Sequence, residues 1–176
     1  MTVLRRIARL RVPIGFLSGV LVLWLAHPTD RTLTIGAIIA AAGEALRVWA
    51  AGHLEKGSEV TASGPYALTR HPLYLGSIII GIGLAIASAN ITVGVLVLAY
   101  FAITLTAAIR TEEAHLTEKF GAAYPEYRAG RTATVSRAFS LARAMRNREY
   151  RAIVGLVIAI SVLALKAFWK RLVAGA

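Results

Sequence analysis

The chain has 176 residues, of which 57 % are hydrophobic and 16 % charged, with a mean hydropathy of +0.63. That balance excludes an ordinary soluble domain, which is less apolar and more charged. The absence of cysteine excludes disulfides, thiolate nucleophiles and thiolate-held metals. In so apolar a chain a net charge of +11 reads as cytoplasmic loops and contacts with anionic lipid, not as nucleic-acid binding.

Five apolar stretches follow one another, at about 13–27, 33–53, 73–88, 91–109 and 152–169. A helix needs about 20 residues to cross the hydrocarbon. The pattern therefore predicts an all-α integral membrane helix bundle with about five transmembrane helices, as one domain over 1–176. The first and third stretches are short and must borrow flanking residues. Arg5, Arg6, Arg9 and Arg11 ahead of the first resemble a signal peptide. No small-x-small cleavage signal follows, so a retained first helix is expected.

The second stretch holds Glu44 and Arg47, three residues apart and so on one helix face. Ionisable residues at membrane depth are costly and mark functional sites; a structural pair facing another helix is the equal alternative. Residues 54–72 then carry turn chemistry at Ser63-Gly64-Pro65. His71 precedes Pro72 and should be extended, while Pro72 suits the first turn of the next helix. Arg70 and His71 thus project from a fixed corner, with Tyr74 one turn on. The free N–H groups of that helix start suit a carboxylate. The same residues also read as an amphipathic belt at the membrane face.

Asn90 leaves almost no loop between the third and fourth stretches, which should form a tight hairpin. Gly76, Gly81 and Gly83 read as close helix packing. Arg110, Glu112 and Glu113 mark where the fourth helix leaves the membrane. Spacing puts Arg110 and Glu113 on one face and turns Glu112 elsewhere; taken alone, this is a solvated helix end. The helix should break near Gly121 and the segment end at Gly130. Residues 136–150 read as an amphipathic helix on the headgroups. Ser136 would cap it, Phe139, Ala142 and Met145 would share a face, and Arg137, Arg143, Arg146 and Arg148 would supply charge. With the N-terminus in the cytoplasm, fifteen basic residues fall inside against four outside, a positive-inside bias. Lys166, Lys170 and Arg171 fit it poorly.

No GxGxxG follows a strand and no P-loop occurs, which excludes the usual nucleotide folds. The four histidines lack close metal-ligand spacing, and no G-x-S-x-G elbow is present.

Two segments carry a resemblance. "SGPYALTRHPLYLG" (63–76) and, after the hairpin, "EEAHLTEKFGAAYPEYRAG" (112–130) are similar to the isoprenylcysteine carboxyl methyltransferase family and its bacterial relatives. Membrane phospholipid N-methyltransferases look similar in the same region. The motif core spans 44–130, with a cytoplasmic amphipathic segment at 131–151 and the last transmembrane helix at 152–170. The resemblance implies an S-adenosylmethionine site in a helix bundle, opening to the cytosol of a multi-pass protein of the bacterial inner membrane. Cofactor contacts are expected from Glu59, Val60 and Thr61, from Tyr66, from the run His71, Pro72, Leu73 and Tyr74, and from Glu112. Arg110, Glu112 and Glu113 are the expected catalytic residues. Arg110, with Arg47 and Glu44, is expected to hold the substrate, and no metal is expected.

The implied partners are membrane lipid and a lipophilic or prenyl-like acceptor entering sideways from the bilayer, with no nucleic acid. S-adenosylmethionine carries a sulfonium, an ammonium and a carboxylate. His71 or helix-start amides would meet the carboxylate, and Glu112 with the faces of Tyr66 and Tyr74 would meet the cations. A phospholipid amine N-methyltransferase is the alternative within enzymes. A non-catalytic transporter or assembly protein, with Glu44 and Arg47 lining a path, is the alternative outside them.

Overall fold

The computed structural model describes residues 2–131 and 137–174, with side chains for residue 10, for 13–131 and for 137–173. Its described residues form helices and no strands: α1 Thr2–Leu25, α2 Asp30–His53, a single 3₁₀ turn Gly64–Ala67, α3 Pro72–Ser88, α4 Ile91–Phe120, α5 Ala123–Arg128, α6 Leu141–Arg146 and α7 Tyr150–Ala174. Asp30–His53, Ile91–Phe120 and Tyr150–Val173 are long and apolar enough to cross a membrane, while Pro13–Leu25 and Pro72–Ser88 are shorter apolar helices.

Helix ends follow local chemistry. Thr29 and Thr32 exchange side-chain and backbone hydrogen bonds in a capping box that starts α2. Ala89 takes a left-handed conformation at φ 49° and closes α3. Asn90 then caps α4, its Oδ1 accepting from the Thr92 N–H at 2.9 Å. The Asn90 side-chain amide donates to Leu25 O at 2.8 Å, so the hairpin tip also fastens α1.

The bundle's interior is made mostly of small residues, with Leu163 and Val93 the largest apolar side chains buried completely. A Cβ at Gly83 would lie 2.6 Å from Gly36 O, and one at Gly43 would lie 2.8 Å from Gly76 O, so α2 and α3 touch backbone to backbone at two levels. Ala40, Ala50, Ala51, Ala87 and Ala107 are buried, whereas Phe16, Trp24, Leu98 and Leu165 face outward. This inversion of a water-soluble core follows from the solvent. Lipid competes for large apolar side chains, so helices associate through close van der Waals contact instead.

Two of the cations that fit the charge count poorly are used inside the fold. Lys166 Nζ donates to Leu23 O and Trp24 O at 2.8 and 2.9 Å, satisfying carbonyls at the end of α1. Arg171 pairs with Asp30 at 3.1 Å. Both tie α7 to the end of the bundle farthest from Pro72.

The expected helix over 136–150 is corrected. Between Arg137 and Glu149 the helix is confined to Leu141–Arg146, and Ser140 caps it by accepting from Arg143 N at 3.3 Å; Tyr150 already begins α7, and Ser136 lies outside the described residues. Ala144 is the buried residue of α6, while Ala142 and Met145 are exposed. Phe139 precedes the helix and packs its ring on Gly52 and beside His53. Arg143 turns inward, donating to Gly52 O at 2.5 Å and to Glu55 at 2.6 Å. Asn147 Nδ2 donates to Ala51 O and Leu54 O, both at 2.9 Å. Free carbonyls at the end of α2 outcompete the headgroups for these donors, because a buried orphan acceptor is costly.

The Glu55–Arg143 pair gives a pH prediction. The Arg143 hydrogen bond holds the Glu55 carboxyl below its ordinary value of 4.5. A depressed folded pKa stabilises the fold above the unfolded value and loses that contribution as pH falls through the folded one. Wild type should therefore exceed Arg143→Met in Tm at neutral pH. The part of the gap due to charge should close as pH falls below the glutamate range, in thermal melts run across that range.

Candidate functional site

The polar residues gather where α2 ends, α3 begins and α4 leaves the bundle. The turn at 63–66 seats the first of them. Gly64 has φ +57°, and a Cβ there would lie 2.6 Å from the His53 ring, so both conformation and space demand glycine. Tyr66 is buried, and its carbonyl accepts the Tyr127 hydroxyl at 2.7 Å. Burial pushes the Tyr66 phenol pKa up, the charges of Glu112 and Glu149 add to this, and Arg47 opposes it. The phenol therefore remains a hydrogen-bond donor at neutral pH.

His71 sits at φ −131°, ψ 57°, outside the helical region as the following proline requires. Its Nε2 lies 3.2 Å from Glu113 Oε1. Its ring stands 5.7 Å from that of Tyr74. Tyr74 donates its hydroxyl to Glu112 Oε2 at 2.5 Å. Residues 38 and 42 positions apart are thus joined across α3 and α4.

The two glutamates have different surroundings. Glu113 is ringed by His71, by Arg70 at 3.7 Å and by Arg128 at 3.8 Å. It also raises the pKa of the Tyr124 phenol, which burial raises most. Glu112 is exposed, with the Tyr74 hydroxyl as its one hydrogen bond among the described residues. The expected catalytic pair therefore divides: Glu113 locks the corner, and Glu112 keeps a carboxylate oxygen available. Arg110 is exposed and makes no hydrogen bond or ion pair with any described residue, so it is not joined to Glu113 despite the helical spacing.

Arg47 leaves α2 over Gly76, where a Cβ would meet its Cγ at 2.5 Å. Its Nη1 donates to Ser77 Oγ at 2.6 Å and to Leu73 O at 3.4 Å. Nε donates to Glu149 at 2.6 Å, whereas Glu44 stands 3.8 Å away. Pro72 is buried, and Leu73 takes part through its carbonyl. Glu59 is exposed and paired with Arg137 at 2.6 Å. Thr61 is buried and accepts from Glu55 N at 3.2 Å, with Val60 half-buried beside it. No hydrogen bond or ion pair among the described residues joins Glu59, Val60 or Thr61 to Tyr66, His71 or Glu112.

Sequence reasoning missed Glu149, Ser77 and Arg128. One signal could have found Glu149: it is the last acidic residue in the chain, set among arginines just before an apolar stretch. Two apolar grooves, of about 460 and 830 Å³, lie at the other end of the bundle. They are surface features of the α3–α4 hairpin tip and of the α1–α2 turn against α7, and none of the candidate site residues lines them.

A bundle packed through glycine, with apolar side chains outward and a cluster of joined polar side chains where α2 ends, α3 begins and α4 emerges, defines an integral membrane protein with a candidate site in that cluster. The chain belongs to the phospholipid methyltransferase family, whose model matches residues 31–123, and so to the wider isoprenylcysteine carboxyl methyltransferase-like superfamily. The family's members are membrane-associated methyltransferases that generally use S-adenosylmethionine. The narrower resemblance read from the motifs is met at the superfamily level.

The chain is 31 % identical over 90 residues to the nickel-cobalt-cadmium resistance protein NccN of Alcaligenes xylosoxydans xylosoxydans, covering 50 % of this chain and 42 % of that protein. It is 32 % identical over 97 residues to the cobalt-zinc-cadmium resistance protein CzcN of Cupriavidus metallidurans, covering 54 % and 43 %. The chain thus spans about two fifths of the length of these curated relatives. No solved structure matches.

Proposed function

We propose that this chain transfers a methyl group from S-adenosylmethionine to a lipophilic or lipid-anchored acceptor, at a site facing the cytoplasm of a bacterial inner membrane. The observation that carries the reading is the Tyr74–Glu112 bond across α3 and α4, with Glu113 occupied by its own partners. It leaves one carboxylate and two tyrosines, Tyr66 and Tyr74, beside a helix start. That set fits the cofactor, whose positive groups suit Glu112 and the aromatic faces, and whose carboxylate suits the first N–H groups of α3.

When bound, S-adenosylmethionine supplies an electrophilic methyl carbon on a cationic sulfur. The chain's part is alignment. An acceptor oxygen or nitrogen forms the new bond to carbon as the carbon–sulfur bond breaks, and the electron pair stays on sulfur. An amine acceptor also releases a proton. Holding two reactants in line is worth effective molarities of about 10⁵ M or more in well-oriented systems. Arg110, exposed and without a hydrogen bond or ion pair to any described residue, would steer an anionic group on the acceptor, a carboxylate or a lipid phosphate alike.

The test is binding of S-adenosylhomocysteine to purified protein in detergent, followed by methyl labelling of membranes with labelled cofactor. Binding and a base-labile label indicate a carboxyl ester; binding and a base-stable lipid label indicate an amine. Absence of binding by wild type refutes the reading and favours a transporter or assembly role. Arg110→Ala should raise the acceptor KM by about 10-fold, the equivalent of ~1.4 kcal/mol. It should leave S-adenosylhomocysteine affinity unchanged, and equal loss of both would contradict a role in acceptor binding.

A further inference from the structure

The guanidinium of Arg47 takes its nearest carboxylate from outside the segment that matches the family. Glu149 lies between α6 and α7, is 6 % exposed, and meets Arg47 Nε at 2.6 Å across 102 positions of sequence. The chain is bent to bring it there. Arg148 adopts φ +62°, a conformation that costs a non-glycine residue roughly 1 kcal/mol. Asn147 and Arg143 bolt the preceding turn onto the carbonyls that end α2. Glu44, on Arg47's own helix, is close enough to compete. Its nearest approach is 3.8 Å, and both its oxygens are buried without a hydrogen bond to any described residue.

An arginine has five N–H donors. Arg47 commits Nε to Glu149 and Nη1 to Ser77 and Leu73. Nη2 makes no hydrogen bond to any described residue. The α3 partners of Arg47 place its guanidinium beside the carbonyl of Leu73, the residue before Tyr74, and its charge acts on the Tyr66 phenol. An unfixed guanidinium would settle on Glu44, whose buried oxygens have no donor among the described residues, because an unsatisfied buried carboxylate is expensive.

We propose that Glu149 is a positioning residue. It holds Arg47 away from Glu44 so that the Nη2 edge is presented to an oxygen-bearing group of the methyl acceptor. The turn at 147–149, though outside the matched segment, thereby completes the acceptor side of the site. This rests on the methyltransferase reading, and it predicts a partner exchange that a purely structural ion pair would not show.

The experiment uses the full chain in detergent or nanodiscs. The acceptor probes are N-acetyl-S-farnesylcysteine and dioleoylphosphatidylethanolamine. Glu149→Gln should raise KM about 10-fold for whichever probe is turned over, the equivalent of ~1.4 kcal/mol. The kcat at saturation and S-adenosylhomocysteine affinity should stay within about twofold, a change of ~0.4 kcal/mol. Glu149→Asp should recover most of the loss. An unchanged KM, or a parallel loss of S-adenosylhomocysteine affinity, overturns the proposal.

A second measurement needs no turnover. Glu149→Gln and Glu44→Gln should each shift Tm little, because Arg47 keeps one carboxylate. The double variant should fall by about 6 °C or more beyond their sum, since it strands a buried charge. Additive shifts overturn the partner exchange even in an active enzyme. A wild type that binds no S-adenosylhomocysteine overturns the methyltransferase reading and with it the acceptor role.

Discussion

Glu112→Ala should lower affinity for S-adenosylhomocysteine by about 10–100-fold, because hydrogen bonds and contacts to a charged group contribute roughly 1.5–3 kcal/mol. The expectation follows from how the two neighbouring glutamates are used. Glu113 already faces His71, Arg70 and Arg128, so its removal should disturb the corner of the site rather than a ligand directly. Glu112 has a tyrosine hydroxyl and solvent around it. The cofactor is cationic and its product is less so, which sharpens the test: the loss should be greater for S-adenosylmethionine than for S-adenosylhomocysteine. Tyr74→Phe keeps the ring and the carboxylate and should cost less than Glu112→Ala. Isothermal titration on the three proteins decides it, and equal affinities throughout would remove Glu112 from the site.

The second large effect concerns the fold. Gly83→Ala adds one methyl group, yet that carbon would sit 2.6 Å from both Ala40 N and Gly36 O. Both neighbours are backbone and cannot swing aside, so α2 and α3 must separate. Overpacking of this kind costs about 1–3 kcal/mol and sometimes more. Separation would also shift Gly76 against Gly43, the level at which Arg47 crosses to Ser77, so activity should fall along with Tm. Gly94→Ala and Gly19→Ala supply the contrast. A Cβ at either position meets nothing within 4 Å, and alanine is favoured over glycine in a helix interior by up to about 1 kcal/mol. These two variants should melt at or above wild type. A Gly83→Ala protein that melts like wild type would show that the two helices are not in backbone contact.

Much of the architecture could be read from the chain itself. The apolar stretches became helices, because hydrophobic length and the need to satisfy backbone groups in lipid are local constraints. Pro72 fixed the corner at His71, Asn90 marked the hairpin, and Gly76 and Gly83 of α3 marked close packing. All of these signals act over a few residues. What the residues did not disclose was who faces whom. Helical spacing alone grouped Arg110 with Glu113, whereas packing gave Glu113 to His71 and Arg128 and left Arg110 with no ion pair among the described residues.

The segment after Gly130 was the least legible. Its arginines read as headgroup contacts, but Arg143 and Asn147 close the open end of α2 instead, and Glu149 reaches Arg47 from 102 positions away. Sequence alone thus determined an all-helical membrane chain with a polar corner at 66–74 and a pair of glutamates at 112–113. Only the tertiary structure decided which glutamate is spent, which is available, and which acid neutralises Arg47. A charge or an orphan carbonyl takes whichever partner the packed backbones bring within about 3 Å, and that distance depends on how helices cross, not on the order of residues along any one of them.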